Sequence, residues 1–384
     1  MLIALVSLAW SAEVQLELDD AVRRAWENHA GAVSQRARID ALDAAVRPQR
    51  APEDPQLRVR VKNIGSQIND SQYTLRLRQE LEPVGAIRSR VQAARAAAQT
   101  ETADLQAMHA AFRVDVAVLF DAVRYLGAAE DLLTEEVAAC DSWIEVAQMR
   151  REAQVGDADD VIEAEFAKLG ALRRQVEAHR ERVLAESELR AMVGLSTDDT
   201  LLLVGPDLLE LATGGHGGES SGVVRARARL AEEQARRKAL AAKRRPFIDW
   251  VQAQAVFEPA TATQFGMSVA ARLPVFSLGD GAMQAADARV SARQATVDAE
   301  LSRSQAREAA EATAIEVSSA SVLALRTEVE RLSALIERDR DQIRPDRLWE
   351  IVVDLLRERQ DLLELAHEAS LIRRKSDRGV MLAP

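Results

Sequence analysis

The stretch LRQELEPVGAIRSRVQAARAA (residues 77–97) passes from a strand pattern to a helix pattern within a few residues. Pro83 and Gly85 separate a strand rich in charge from a long helix rich in alanine and arginine. A similar join, LPVFSLGDGAMQAADARVSA, occupies residues 273–292. Proline and glycine end regular elements, so both joins are predicted to be places where a β-segment gives way directly to a helix.

Two alternating segments precede the first join, and strands are predicted over about 57–64 and 72–82. Apolar residues recur at every second position, which is typical of a strand with one apolar face. The intervening positions carry a set of basic residues: Arg58, Arg60, Lys62, Arg76 and Arg78. GSQIND supplies turn residues between the segments. The hairpin fits the edge of a soluble sheet or the wall of a membrane barrel.

A helical hairpin is predicted after the join, over about 86–193. Apolar residues recur at spacings of three and four along its first helix, from Leu105 to Ala147. In the turn EAQVGDADDV, Gly156 is expected to take the left-handed conformation, and Asp157 or Asp159 to cap the next helix. The buried stripe of the second helix is predicted to be Ile162, Phe166, Leu169, Val176, Val183 and Leu189.

The second half of the chain repeats this order after a Gly/Ser-rich linker over 205–222. Its predicted strands cover about 247–257 and 264–273. Its predicted helices cover about 281–343 and 347–375, with a break at Pro345. Residues 13–204 and 223–384 are therefore interpreted as two structural repeats. The predicted fold class is mainly α with a β part.

Composition argues against two classes of protein, general nucleic-acid binders and helical membrane proteins. The 384 residues are 47% hydrophobic and 29% charged, with a net charge of −11, which argues against a general nucleic-acid binder. No run of 18 apolar residues occurs, so a membrane crossing would require strands of a closed barrel. Residues 1–12 resemble a secretory signal peptide. A helix is predicted from Leu16 to Val46, capped by Asp19 or Asp20.

No constellation of residues in the sequence indicates catalysis, a cofactor or a metal site. The five histidines are scattered without metal-ligand spacing. GGHGG lacks the strand and the Gly-Lys-Ser/Thr ending of a phosphate-binding loop. Cys140 is interpreted as a small buried side chain, and Glu163 and Glu165 as solvated charges on a helix. The prediction is a protein that is not an enzyme.

These segments together resemble the TolC-like outer-membrane efflux channels. LELDDAVRRAWENHAGAVSQRARIDALDAAV (residues 16–46) is similar to their N-terminal helix. The two joins resemble their strand-to-helix transitions, and residues 150–195 resemble their hairpin tip and returning helix. QELEPVG faintly resembles members that serve heavy-metal pumps. The second tip differs, because Pro345 stands where a glycine is frequent.

The resemblance implies a homotrimer that forms a twelve-stranded outer-membrane β-barrel on a long periplasmic α-helical barrel. Such a channel is a passive exit duct for drugs, metal ions or other small molecules, served by a periplasmic adaptor and an inner-membrane pump. The apolar strand faces would meet outer-membrane lipid, and most of the chain would lie in the periplasm. The alternative left open is a soluble periplasmic coiled-coil adaptor or structural protein.

The resemblance also implies roles for three groups of residues. The adaptor-docking and gating tip is Arg151, Val155, Gly156, Asp157 and Asp160. The barrel lumen is lined by the five basic residues of the first two strands. The junctions between barrel and helices are Pro83, Gly85, Pro274 and Gly279.

Overall fold

The computed structural model describes residues 13–62, 72–83, 85–196, 200–206, 220–244, 247–257, 263–272 and 280–377. The predicted signal segment lies outside the described residues, as do Pro274 and Gly279. Within the described ranges, no helix combines the length and the apolar character that a membrane span requires.

Helices account for most of the described chain. The strands are β1 Glu13–Glu17, β2 Gln56–Lys62, β3 Gln72–Glu80, β4 Thr200–Val204, β5 Phe247–Phe257 and β6 Gln264–Arg272. The helices are α1 Leu18–Asn28, α2 Ala30–Val46, α3 Ala86–Glu152, α4 Ala158–Val193, α5 Ser221–Lys243, α6 Asp280–Asp339 and α7 Pro345–Asp377. A short 3-10 helix, Pro48–Arg50, follows α2. The predicted class, mainly α with a β part, is confirmed.

The chain packs as two units, each of which draws on both halves of the sequence. The first contains Met1–Val33, Met108–Ser220 and Gln305–Pro384. The second contains Ser34–Ala107 and Ser221–Ser304. The long helices α3 and α6 each contribute to both units. These units differ from the two predicted repeats, which are consecutive segments of the sequence. The division into repeats stays a prediction.

The first unit contains a small parallel sheet that the sequence analysis missed. Strands β1 and β4 pair from Glu13 opposite Thr200 to Glu17 opposite Val204. Leu16 on β1 is fully buried and packs in one cluster with Phe120 of α3. Each strand has only five residues, and LELDD reads equally well as the start of a helix.

The helix predicted from Leu16 to Val46 is therefore wrong at its start, and it is also interrupted. Leu16 belongs to β1, and Asp19 and Asp20 lie in the first turn of α1 rather than at its cap. The break falls at His29, whose Nδ1 accepts a hydrogen bond from the Ala32 backbone N–H at 3.1 Å. His29 thus supplies an acceptor for one of the free N–H groups at the start of α2.

The remaining core of the first unit follows the helix seams. The predicted α3 seam is confirmed at Val116, Cys140 and Ile144, all of which are buried. Cys140 and Ile144 pack with residues of α4 and α7, and α6 packs on α7 through Val329 and Leu362. Burial, with the neighbouring Glu136 carboxylate, raises the pKa of the Cys140 thiol to about 11.

The second helical turn differs from its prediction. Helix α6 ends at Asp339, and α7 begins at Pro345 rather than at Arg347. Proline fits the first helical position, because its missing N–H would have no intrahelical partner there. Pro345 therefore starts a helix, and the predicted break at this residue is wrong.

In the second unit, α3 and α5 approach closely through small residues. Ala96 and Ala226 are buried, and the Thr100 hydroxyl lies 3.1 Å from the Ala96 carbonyl oxygen and 3.3 Å from that of Ala228. The unit also contains a four-stranded sheet of order β2-β3-β5-β6, in which every neighbouring pair is antiparallel.

Candidate functional site

The four-stranded sheet has one apolar face. Cross-strand pairing aligns Val59, Leu75, Ala255 and Phe265 in one row. Parallel rows place Leu57 beside Leu77, Ala253 and Met267, and Val61 beside Tyr73 and Phe257. Most of these large side chains are exposed, and Phe265 reaches 82%. The described part of a single chain therefore leaves the apolar face of the sheet without a cover.

The opposite face of the sheet is basic. Arg58 stands directly across from Arg76, and Arg60 stands across from Thr74. Arg78 lies 3.3 Å from Glu80, and its guanidinium carbon lies 4.8 Å from the centre of the Trp250 ring. The structure thus places the five predicted lumen residues on one face, because side chains along each strand alternate.

The first strand-to-helix junction is a compact turn. Pro83 is buried, and its carbonyl accepts the Ala86 N–H at 2.9 Å. Gly85 has φ of 86°, a conformation that disfavours any side chain. Arg90 pairs with Glu82 at 2.7 Å across the turn. Pro83 and Gly85 therefore lie between β3 and α3, where the sequence placed them.

The hairpin tip uses a different residue from the one predicted. Gln154, with φ of 59°, takes the left-handed position that was expected of Gly156. The Gln154 N–H donates to the Arg151 carbonyl and the Val155 N–H to the Arg150 carbonyl, each at 3.0 Å. This pattern is the Schellman ending of a helix.

Gly156 is nevertheless constrained, by space rather than by its backbone angle. A Cβ atom on Gly156 would lie 3.0 Å from the Arg150 Cβ. The Arg150 guanidinium also donates to the Val155 carbonyl at 3.3 Å, folding that side chain over the turn. Only a residue without a side chain fits there without displacing Arg150.

The other tip residues are available at the surface. Arg151, Val155 and Asp157 are exposed, and Asp160 is half-buried. Asp157 occupies the N-cap position of α4, as predicted, but its side chain makes no capping hydrogen bond. Asp160 lies in the first helical turn, where a carboxylate interacts favourably with the helix dipole. The predicted tip residues therefore lie in the turn between α3 and α4 and in the helix ends that flank it.

The stripe predicted to be buried on α4 is mostly exposed. Phe166 is 69% exposed and Val176 68%, and Ile162, Leu169 and Val183 are exposed as well. Leu189 alone of the predicted set is buried, and it shares the buried face with Ala164, Ala171 and Val193. Between Ile162 and Val183 the helix therefore packs within the chain through its alanines, and its large apolar residues face outward; only near its end do Leu189 and Val193 join the buried face.

A buried polar cluster on α3, α4 and α7 was missed. The Glu136 carboxylate is fully buried. It accepts two bonds from Arg174, at 2.7 and 2.9 Å, one from Arg357 at 3.2 Å and one from Gln360 at 3.0 Å. Arg174 also donates to the Gln360 side-chain oxygen at 2.8 Å. The available signal was a glutamate at seam spacing, three residues after Leu133.

A second missed cluster joins α3 to α7. The buried Asp121 carboxylate accepts from Arg374 Nε at 2.8 Å. Beside it, the rings of Tyr125 and His367 stack at 4.3 Å, 4° from parallel. Burial lowers the pKa of His367, against the opposing influence of the Asp121 and Glu368 carboxylates. Burial also raises the pKa of Tyr125.

No group of three or more histidine, cysteine, aspartate or glutamate side chains is placed to hold a metal ion within the part of the chain that the structure describes.

The long helix α3 thus follows directly on an antiparallel sheet that has one apolar and one basic face. Residues 21–195 match the sequence model of the outer membrane efflux protein family. This match, over just under half of the chain, confirms the resemblance seen in the sequence. No curated protein matches the chain.

Solved outer-membrane proteins share the fold over nearly the whole chain. The outer membrane protein VceC from Vibrio cholerae superposes with a TM-score of 0.68 at 15% identity, covering 95% of this chain and 97% of VceC. CusC gives 0.70 at 14% identity, covering 97% and 96%. The open-state MtrE channel of Neisseria gonorrhoeae gives 0.67 at 17% identity, covering 94% and 87%.

Proposed function

We propose that the chain is one subunit of a homotrimeric outer-membrane channel that acts as the passive exit duct of a tripartite efflux pump. The family match over residues 21–195 and the shared fold support this function. Most of each subunit lies in the periplasm. The transported solutes are drugs, metal ions or other small molecules that an inner-membrane pump drives through a periplasmic adaptor.

The observation that carries the proposal is the incomplete sheet. Strands β2 and β6 are its two outer strands, and each has a neighbour on one side only within the described sheet. Open edges of this kind invite pairing with another chain. Because neighbouring strands alternate in direction, β6 of one copy can pair antiparallel with β2 of the next. Three copies would then close a barrel of twelve strands, with the apolar face toward lipid.

The helices support the same assembly. The exposed stripe on α4 and the exposed Val317 and Leu323 of α6 have no cover among the residues that the structure describes. Long helices with apolar seams require partners along those seams. In the trimer, neighbouring copies provide them. This arrangement also explains why the large side chains of α4 face outward while its alanines face inward.

The tip is proposed as the adaptor-docking and gating end. Arg151, Val155 and Asp157 present a cation, an apolar side chain and a carboxylate on a turn fixed by backbone hydrogen bonds. Such a turn offers an adaptor both charge and apolar area.

Membrane fractionation and an assembly variant test the function. The wild-type chain is expected in the outer membrane as a trimer that resists heat in detergent. Phe166→Glu should weaken the trimer, because it places a charge on the stripe. Glu165→Ala, at the exposed neighbouring position, should not. A soluble monomer in the periplasm would contradict the channel and favour the adaptor or structural protein instead.

A further inference from the structure

The basic face of the sheet concentrates like charges at close quarters. The pairing of β2 with β3 sets Arg58 directly opposite Arg76. Directly opposed side chains of an antiparallel pair have Cβ atoms only about 4.5–5.5 Å apart, and like charges there repel. Arg60, Lys62 and Arg78 extend the same face along the two strands.

Little on this face neutralises these charges. Among the paired residues of the described strands, Glu80 is the one carboxylate on the basic face. Glu80 is already engaged by Arg78 at 3.3 Å. Across the sheet, the residues that continue the Arg58–Arg76 row are Gln254 and Gly266, which carry no charge.

Two guanidinium groups also have unused donors. Nε of Arg76 and Nε of Arg78 are both shielded from solvent, and no acceptor among the described atoms lies within hydrogen-bond reach of either. A shielded N–H without an acceptor carries a desolvation cost. An anion seated between Arg58 and Arg76 would reduce the repulsion between them and would bring an acceptor to Arg76.

We propose that the basic face, centred on Arg58 and Arg76, is an anion-binding surface for solutes that carry phosphate or carboxylate groups. Guanidinium groups bind such anions with two parallel hydrogen bonds, a geometry that a single ammonium group cannot offer. This inference rests on the proposed function: in the duct, the basic face lines the lumen, and that part of the lumen favours anionic solutes.

Binding of inorganic tripolyphosphate to the purified full-length protein, measured by calorimetry, tests the surface. The double variant Arg58→Gln/Arg76→Gln should bind roughly tenfold or more weakly, since charge-assisted hydrogen bonds are lost. Arg293→Gln/Arg303→Gln removes the same charge from exposed positions on α6 and should bind as the wild type does. Equal affinity in both variants would overturn the proposal.

Ion selectivity in planar bilayers separates this inference from the proposed function. Under a potassium chloride gradient, the reversal potential of Arg58→Gln/Arg76→Gln should shift toward cation preference relative to the wild type. Conduction with an unchanged reversal potential overturns the proposal for the duct. Tripolyphosphate binding that depends on the two arginines, without any conduction, overturns the proposed channel and leaves the anion-binding surface standing.

Discussion

Arg174 of α4 donates from one nitrogen, Nη2, to both oxygens of the buried Glu136 carboxylate on α3, at 2.7 Å from Oε1 and 2.9 Å from Oε2. Arg357 and Gln360 of α7 bind the same carboxylate, so a single side chain ties three helices together. Removing one member of a buried ion pair typically costs about 3–5 kcal/mol.

Glu136→Ala is expected to destabilise the protein by about 2–3 kcal/mol, less than that range, because Arg174 and Arg357 are 39% and 42% exposed and can regain water. Chemical denaturation measures the free energy of unfolding. Glu135→Ala, on the exposed side of the same helix, is the matched control and should change it little. Similar losses in both variants would show that the cluster adds no stability.

Gln154→Gly is expected to stabilise the hairpin tip by about 0.5–1 kcal/mol, because glycine adopts the left-handed conformation without a Cβ penalty. Gly156→Ala should destabilise it, since its Cβ would lie 3.0 Å from that of Arg150. Amide hydrogen exchange at the ends of α3 and α4 measures both effects. If the two variants change exchange in the same direction, the assignment of the left-handed residue is wrong.

Acid should weaken the contact between α3 and α7 at His367. Because burial lowers the pKa of His367, the neutral imidazole is preferred in the folded state. Its stabilising contribution is complete above the ordinary value near 6.5. It is lost as the pH falls from there toward the lowered folded-state pKa.

Unfolding of the wild type and of His367→Phe at pH 7.5 and pH 5 measures this dependence. Phenylalanine retains a ring to stack on Tyr125 and cannot be protonated. The wild type should lose stability relative to the variant as the pH is lowered. Parallel pH profiles would exclude a contribution from His367.

Charge reversal at the tip should separate recognition from folding. Asp157→Lys is expected to abolish efflux while trimers still assemble, because the Asp157 side chain makes no capping hydrogen bond whose loss would weaken α4. Gly156→Pro should also abolish efflux with trimers still assembled, but by disturbing the turn, because a side chain there would displace Arg150. Drug or metal resistance of cells that carry each variant is the readout, and Glu163→Lys, exposed further along α4, is the control. Normal resistance with Asp157→Lys would contradict a docking role for the tip.

The four strands of the larger sheet, the first join and the long α3 helix could be predicted because their signals are local. The alternation of basic and apolar residues around Arg58 and Arg60 indicates a strand. Pro83 and Gly85 mark the end of the next strand, because these residues restrict or free the backbone at their own positions. The basic face could be predicted from the period of two along each strand alone, since every second side chain of a strand lies on the same face. The direct opposition of Arg58 and Arg76, in contrast, depends on register, which is set by pairing between strands.

Other features depended on tertiary contacts. The β1–β4 pairing joins segments almost two hundred residues apart. Each segment is too short for its sequence pattern to predict a strand. At the tip, sequence favours glycine for a left-handed residue, but the hydrogen bonds to Arg150 and Arg151 assign that conformation to Gln154.

The sequence by itself determined the alternating period of β2, β3, β5 and β6 and the order in which these strands and the long helices follow one another. The tertiary structure decided which face of each helix is buried. A helix with apolar residues on one side and alanines on another can pack through either, and α4 uses Ala164 and Ala171 inside the chain while Phe166 faces outward. Burial of Glu136 was decided in the same way, since its cost is met only where Arg174, Arg357 and Gln360 converge on it.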